Sequence, residues 1–274
     1  MLELPEARHL ADQFLSTLRG KTIAEVETNH SPHKLAWFHG DPDDYPAQLI
    51  RKTVTGADAF GGMPELQFGG RKLVFCDGTN VRYFDVGADL PPKHQLRVTF
   101  SDQSSIVCSV QMYGAMWLLD DKDEEKYYQS AKQKVKPLQV EFTEAYFDEL
   151  WRATKPTYSA KAFLATEQRF PGLGNGVLQD ILFNAKINPR RKLANMADAE
   201  MARLYRSVTD TLTDMIDRGG RDTEKDLFGQ PGGYKTRLCA GTLSYPCMEC
   251  GNGMVREAYM GGKIYFCPVC QPKD

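Results

Sequence analysis

The chain has 274 residues, enough for two domains and a small extra module, and its 42% hydrophobic and 26% charged residues describe an ordinary globular protein. No apolar run approaches a membrane span, and the charged, amphipathic N-terminus lacks the form of a secretory signal, so membrane-embedded and secreted classes are set aside. A formal net charge of −2 argues against a wholesale polyanion binder, although a local cluster of basic residues would escape that test.

The first element is a helix. Pro5 sits near its start, Glu6 in its first turn, and Ala7, Leu10, Ala11, Phe14, Leu15 and Leu18 recur at helical spacing before Gly20 ends it. From Thr22 to Leu118 the pattern is β-rich, with strands expected at 22–26, 66–75, 81–86, 96–100, 105–111 and 115–118. Asp77-Gly78 and Asp102-Gln103 mark hairpin turns. Six short strands with one leading helix predict a two-layered β-sandwich with a flanking helix. The lysine- and glutamate-rich stretch from Asp120 to Lys136 reads as a solvated linker. Helices are then expected at 144–154, 160–167, 176–185 and 197–217, and the Gly-rich piece 218–234 reads as a loop leading to the C-terminus. The expected class is α+β, divided as 1–135, 136–238 and 239–274.

The last segment carries the most specific signal. Cys247, Cys250, Cys267 and Cys270 form two C-x-x-C pairs separated by sixteen residues, the spacing of a four-thiolate zinc site. Residues 254–259 and 263–266 suit two strands joined by a Gly261-Gly262 turn. Two disulfides of a secreted scaffold are the alternative. They fit poorly with the scattered Cys76, Cys108 and Cys239, which suit a reducing cytosol. A hairpin this small has no core, so metal would supply its folding energy, and a closed site of four thiolates leaves no open position for chemistry. Between two helices, Phe170-Pro171-Gly172-Leu173-Gly174-Asn175-Gly176 places Asn175 where a helix N-cap is expected. Two glycines there let the backbone approach an anion such as a phosphate. Alone, such a loop is more often a plain inter-helix turn.

Three motifs in this order resemble the formamidopyrimidine-DNA glycosylase / endonuclease VIII family over nearly the whole chain. Met-Leu-Glu-Leu-Pro-Glu-Ala resembles that family's M-P-E-L-P-E-V start. Residues 172–189 resemble its helix–two-turn–helix motif, and the cysteine spacing matches its zinc finger. The resemblance implies base-excision repair in a bacterial cytosol or nucleoid, by a monomer with one structural zinc ion. Its partner would be damaged or abasic duplex DNA, with an oxidised base flipped out and its glycosidic bond cut. It also implies DNA contacts at Lys161, Gly174 and Asn175, and a proton-handling role for Glu3 beside Glu6.

The sequence departs from that family at the reacting end. The family's nucleophile is the α-amine of an N-terminal proline, and position 2 is Leu2. Methionine is generally kept before leucine, so the Leu2 nitrogen is expected to be a peptide amide. The family's hairpin lysine falls at Arg71, with Lys72 adjacent, and its void-filling methionine near Val86. Its arginine–phenylalanine wedge becomes Gln111-Met112-Tyr113, and its finger arginine becomes Gly262, with Lys263 next. Three mechanisms are open: the Met1 α-amine as nucleophile, water activated by Glu3, or binding without chemistry. Lys72 and Lys161 are weaker amine candidates, being mostly protonated when exposed. Lys93, His94, Arg97, Tyr113, Tyr234, Lys235 and Arg237 are basic or aromatic candidates for the DNA path. No nucleotide or organic-cofactor motif is present.

Overall fold

The computed structural model describes residues 2–123 and 125–273. They form two compact units. One holds the N-terminal part to Gln129 together with 219–233, and the other holds 130–218 together with the chain from Tyr234 onward. No helix among the described residues is long and apolar enough to cross a membrane.

The first unit opens with helix α1 (Leu4–Leu18), whose apolar face of Leu10, Phe14 and Leu18 is fully buried. Nine strands follow: β1 (Ile23–Thr28), β2 (Ala36–Phe38), β3 (Gly56–Phe60), β4 (Met63–Gln67), β5 (Arg71–Phe75), β6 (Thr79–Phe84), β7 (Leu96–Phe100), β8 (Ser105–Val110) and β9 (Gly114–Asp120). They make a four-stranded sheet, β1-β7-β8-β6, and a five-stranded sheet, β2-β9-β5-β4-β3. Val26, Val81, Val98, Phe100 and Ile106 from one sheet share a core with Leu66, Leu73, Phe75, Met116 and Leu118 from the other, sealed by α1. This is the two-layered sandwich the alternation predicts.

Several details differ from the sequence reading. The run 66–75 is two strands, because Gly69 and Gly70 both take positive φ and turn the chain between β4 and β5. Edge strands β2 and β3 and the short helix α2 (Tyr45–Leu49) lie in a stretch without recognisable periodicity. The stretch read as a linker contains helix α3 (Lys126–Gln133), inside which the boundary between the two units falls. The segment 219–233, read as a loop toward the C-terminal hairpin, belongs instead to the first unit.

The second unit contains α4 (Glu144–Ala153), α5 (Ala160–Ala165), α6 (Val177–Asn184) and α7 (Asp198–Asp217). Thr143 and Ser159 cap α4 and α5 through hydroxyls that accept from Tyr146 N and Ala162 N. Phe142, Phe147, Phe163 and Phe170 form an aromatic core with α6 and α7. Strands β10 (Val255–Tyr259) and β11 (Gly262–Phe266) pair antiparallel. Their turn is Met260-Gly261, one residue earlier than expected. Both residues have positive φ, as a two-residue hairpin requires, and Gly262 is therefore a paired strand residue opposite Tyr259.

Candidate functional site

In the first unit the N-terminal carboxylates are buried, not at the surface. Leu2, Glu3 and Glu6 are each less than a tenth exposed, and Leu2 belongs to the sandwich core. Glu3 caps α1, and its N–H donates to Glu6 Oε2 at 3.3 Å in a capping box. Arg221, from the returning segment, faces both acids. Its backbone N and Nε donate to Glu6 Oε1 at 3.1 and 2.9 Å, and Nη2 donates to Glu6 Oε2 at 2.9 Å. Its Nη1 lies 3.8 Å from Glu3 Oε2. Burial alone disfavours the guanidinium, but the charges of Glu3 and Glu6 outweigh it and hold Arg221 above its ordinary value. Glu6 is thus committed to bracing Arg221 and the helix start, and Glu3 lies against the same guanidinium. Met1 lies outside the described residues.

Two glycines make this approach possible. A Cβ at Gly62 would sit 2.8 Å from the Leu2 carbonyl, so the β3–β4 turn accepts the N-terminal backbone only as glycine. Gly220 has φ +97 and would meet the Glu6 side chain at 3.4 Å.

Gln111, Met112 and Tyr113 line a cavity of about 730 Å³ with Arg82, Thr223, Glu224 and Lys225. That volume falls within the roughly 300–1,000 Å³ of small-molecule sites. Tyr113 donates to Asp77 Oδ2 at 3.2 Å. Burial first, then the charge of Asp77 and its hydrogen bond, push its phenol up to about 12. Burial also raises the Asp77 carboxyl. Met112 and Val86 are exposed.

The remaining candidates in this unit are less available. Lys72 Nζ pairs with Asp121 Oδ1 at 2.6 Å, and Arg71 opens strand β5 opposite Asp120. His94 was expected on the DNA path, but it is buried. Its Nδ1 lies 3.1 Å from Pro91 O, its Nε2 lies 3.1 Å from Glu27 Oε2, and its ring stacks on His30. Arg97 pairs with Glu25 at 3.0 Å and Glu27 at 3.2 Å, whereas Lys93 is exposed.

In the second unit the Gly-rich loop sits against the hairpin. Asn175 is not the N-cap of α6. Gly176 holds that position, and Asn175 Nδ2 donates instead to Lys263 O at 3.0 Å, beside Gln179 Nε2 at 3.1 Å. The Gly174 carbonyl accepts the Leu178 N–H at 3.3 Å. Lys161 is buried and donates from Nζ to Tyr259 O at 2.8 Å. Burial lowers its pKa, because helix α5 carries the amine in under the hairpin turn. Lys263 and Lys235 are exposed. Tyr234, another expected DNA contact, is buried in the helical core, where burial and Asp180 raise its phenol. Arg237 lies 3.7 Å from Glu249 and donates its backbone N–H to Asp180 at 2.9 Å.

Cys247, Cys250, Cys267 and Cys270 converge, all sulfurs lying within 4.8 Å of one another. Cys247 and Cys270 are 3.8 Å apart, and Cys250 and Cys267 are 3.5 Å apart. These are too long for disulfides, and they match the edge of about 3.8 Å that four Zn–S bonds of about 2.3 Å give a tetrahedron. Asn252 hydrogen bonds lower Cys250 to about 6, while burial raises Cys267 and Cys270. A bound cation would favour the thiolate at all four. Behind the cluster, Gln271 ties the second knuckle to the helices, accepting from Cys267 N at 3.1 Å and donating to Ile187 O at 2.9 Å.

Arg221, Glu224 and Lys225 were missed by the sequence reading. No local pattern connects Arg221 to Glu6, 215 residues upstream, or to Glu3 beyond it. The available signal was indirect: two acids on the buried side of an amphipathic helix require a cation from elsewhere.

Together these features define a β-sandwich unit with buried N-terminal acids and a helical unit that carries a two-turn loop and a four-thiol hairpin. No family model matches the chain. Relatives match it end to end. It is 26% identical over 280 residues to the formamidopyrimidine-DNA glycosylase of Cytobacillus firmus, covering 99% of this chain and 100% of that protein. It is 27% identical over 282 residues to that of Geobacillus kaustophilus, with 99% and 100% coverage. Among solved structures, Lactococcus lactis Fpg in complex with abasic-site DNA superposes with a TM-score of 0.83 at 23% identity, covering 99% of this chain and 100% of that one. Thermus thermophilus MutM (Fpg) gives 0.82 at 20% identity, with 99% of each chain covered. The chain is thus similar over its whole length to formamidopyrimidine-DNA glycosylases, and its fold is that of the Fpg/MutM structures.

Proposed function

We propose that the protein is a base-excision DNA glycosylase that removes oxidised bases by hydrolysis and leaves the resulting abasic site uncut. The observation that supports this reading is the buried Glu3 carboxylate, 3.8 Å from the Arg221 guanidinium, in a chain whose second residue is a core leucine. With Leu2 nitrogen in a peptide bond, no secondary amine is available to form a Schiff base at that position. A carboxylate fixed by a guanidinium suits the remaining route. Glu3 accepts a proton from water as that water attacks C1′ of a flipped nucleotide, and the base departs with the glycosidic electrons. Tyr113 and Gln111 supply a stacking face and hydrogen bonds for the base in the cavity.

Exposed Lys263, the Asn175 loop and Lys235 would grip phosphates. Affinity for undamaged duplex should therefore fall steeply with salt. The four thiolates would hold one zinc ion, which fixes the hairpin and takes no part in the reaction. Direct interaction of this chain with damaged duplex DNA is a proposal that rests on the relatives named above.

The test uses duplexes carrying single oxidised purines or pyrimidines. Wild type should release at least one class of base, and Glu3→Gln should abolish release while binding abasic duplex within about threefold of wild type. Binding without release across the whole panel would favour a second reading, a lesion sensor that has kept the DNA grip and lost the chemistry. The burial of Leu2 is the observation on that side.

A further inference from the structure

We propose that Glu27, His30 and His94 form a second metal site, which takes a divalent ion of the zinc class through two imidazole nitrogens and a carboxylate. The three ligand atoms lie within 4.8 Å of one another. The site is built on the edge of the four-stranded sheet, apart from the carboxylate–arginine cluster and in a different unit from the cysteines.

The scaffold is rigid. Glu27 is on β1 opposite Arg97, and the ladder continues past the strand through Asn29 N to Gln95 O at 2.8 Å and Ser31 N to His94 O at 2.9 Å. His30 is therefore pinned beside His94, and their rings lie parallel with centroids 4.4 Å apart.

Hydrogen-bond chemistry singles the cluster out. His94 is 5% exposed, and both its nitrogens face acceptors: Nδ1 the carbonyl of Pro91 at 3.1 Å, and Nε2 the carboxylate of Glu27 at 3.1 Å. A carbonyl oxygen can only accept, so Nδ1 carries hydrogen and the Nε2 lone pair is aimed at Glu27 Oε2 unless a second cation or proton lies between. The other carboxylate oxygen, Oε1, is 3.0 Å from His30 Nδ1. Satisfying all contacts with protons alone makes His94 a buried imidazolium stacked on the His30 ring, with the Arg97 guanidinium also 3.2 Å from Glu27. A divalent ion resolves this with neutral rings. An Nδ1–H donated to a backbone carbonyl is the arrangement that orients a metal-bound histidine, and Arg97 plays the equivalent part for the carboxylate. Two imidazoles and a carboxylate suit zinc, cobalt, nickel or copper rather than magnesium or calcium. His30, at 45% exposure, leaves an entry path and a coordination position open to water.

The test is metal stoichiometry on the full chain with its cysteine site loaded. At about pH 7.5, above the ordinary imidazole value of roughly 6.5, wild type equilibrated with buffered micromolar zinc should hold a second equivalent. His30→Gln, at an exposed position, should weaken that second binding at least about tenfold, while His33→Gln should not change it. Cobalt separates the two sites: the cysteine site gives sulfur-to-cobalt charge-transfer absorption, and the second equivalent should add d–d bands without it. Cys267→Ser should remove the first signal and leave the second. A wild-type protein that holds one equivalent, or a His30→Gln protein that keeps two, would overturn the proposal. In that case the cluster is a proton-bridged ion pair, visible as a His94 ring with hydrogen on both nitrogens.

Discussion

Replacing Arg221 by methionine tests the cluster on which the N-terminus depends. The change keeps much of the side chain's bulk and removes the charge. Glu3 and Glu6, each about 3–5% exposed, stay buried, and of the bonds from Arg221 to Glu6 only the one from the backbone N–H survives. Removing one partner of a buried ion pair typically costs about 3–5 kcal/mol, because the remaining charge is neither solvated nor paired. A domain has only about 5–15 kcal/mol in total, so the loss should be plain in a thermal scan. The first unit should melt well below wild type while the second, which contains none of these groups, keeps its transition. Arg221→Lys should recover little, since an ammonium cannot reproduce the two-pronged contact with Glu6. Adding Glu6→Gln to Arg221→Met should restore part of the loss, giving a coupling of about 1–3 kcal/mol. An Arg221→Met protein within about 1 kcal/mol of wild type, or additive double-mutant behaviour, would refute the claim that this arginine holds the acids in place.

Other consequences are more local. Chelating zinc, or changing Cys267 to serine, should unfold the hairpin, seen as lost amide dispersion for residues 247–271, with Asn188 and Gln271 losing their 2.9 Å bond. Lys263→Ala should weaken duplex binding across sequences and reduce the salt slope by about 1, whereas Lys161→Met should act mainly by loosening the hairpin turn from helix α5. Asp102 is held down to about 2 by hydrogen bonds from Lys21 and Ser104. Its folded value lies below the ordinary 3.8, so its contribution is present above about pH 4 and is lost as pH falls toward 2. The Asp102 side chain is 51% exposed and screened by solvent, so Asp102→Asn should cost less than about 1 kcal/mol at neutral pH, and the gap should close in acid as followed by urea titration.

The elements most legible in the sequence were those whose signal is local. Helices α4 to α7 fall within two residues of their expected ends because their apolar positions recur at helical spacing between Thr143 or Ser159 caps and polar breaks. The cysteine spacing located the four-thiol cluster because both knuckles are tight turns whose geometry depends on two or three residues. Edge strand β3, Gly-Ala-Asp-Ala-Phe, has little β-preference and exists because β4 pairs with it. Asn175 looked like a helix cap, but its amide is taken by the hairpin carbonyl of Lys263, a partner 88 residues away. His94 and Tyr234 looked like ligands because they are basic or aromatic, yet what decides their role is burial, which composition does not report. Arg221 is the extreme case, since its meaning lies wholly in two carboxylates at the other end of the chain.

The most direct test of the central claim is borohydride trapping combined with base-release analysis. The protein is used with its native N-terminus, confirmed by mass spectrometry, on one duplex carrying an oxidised base and another carrying an abasic site. Hydrolysis assisted by Glu3 predicts released base, strand breaks that appear only after alkali, and no covalent adduct with the abasic duplex. A trapped adduct mapping to Met1 or a lysine would contradict the account, because it would show an amine nucleophile where Leu2 and the Glu3–Arg221 pair leave the reaction to water.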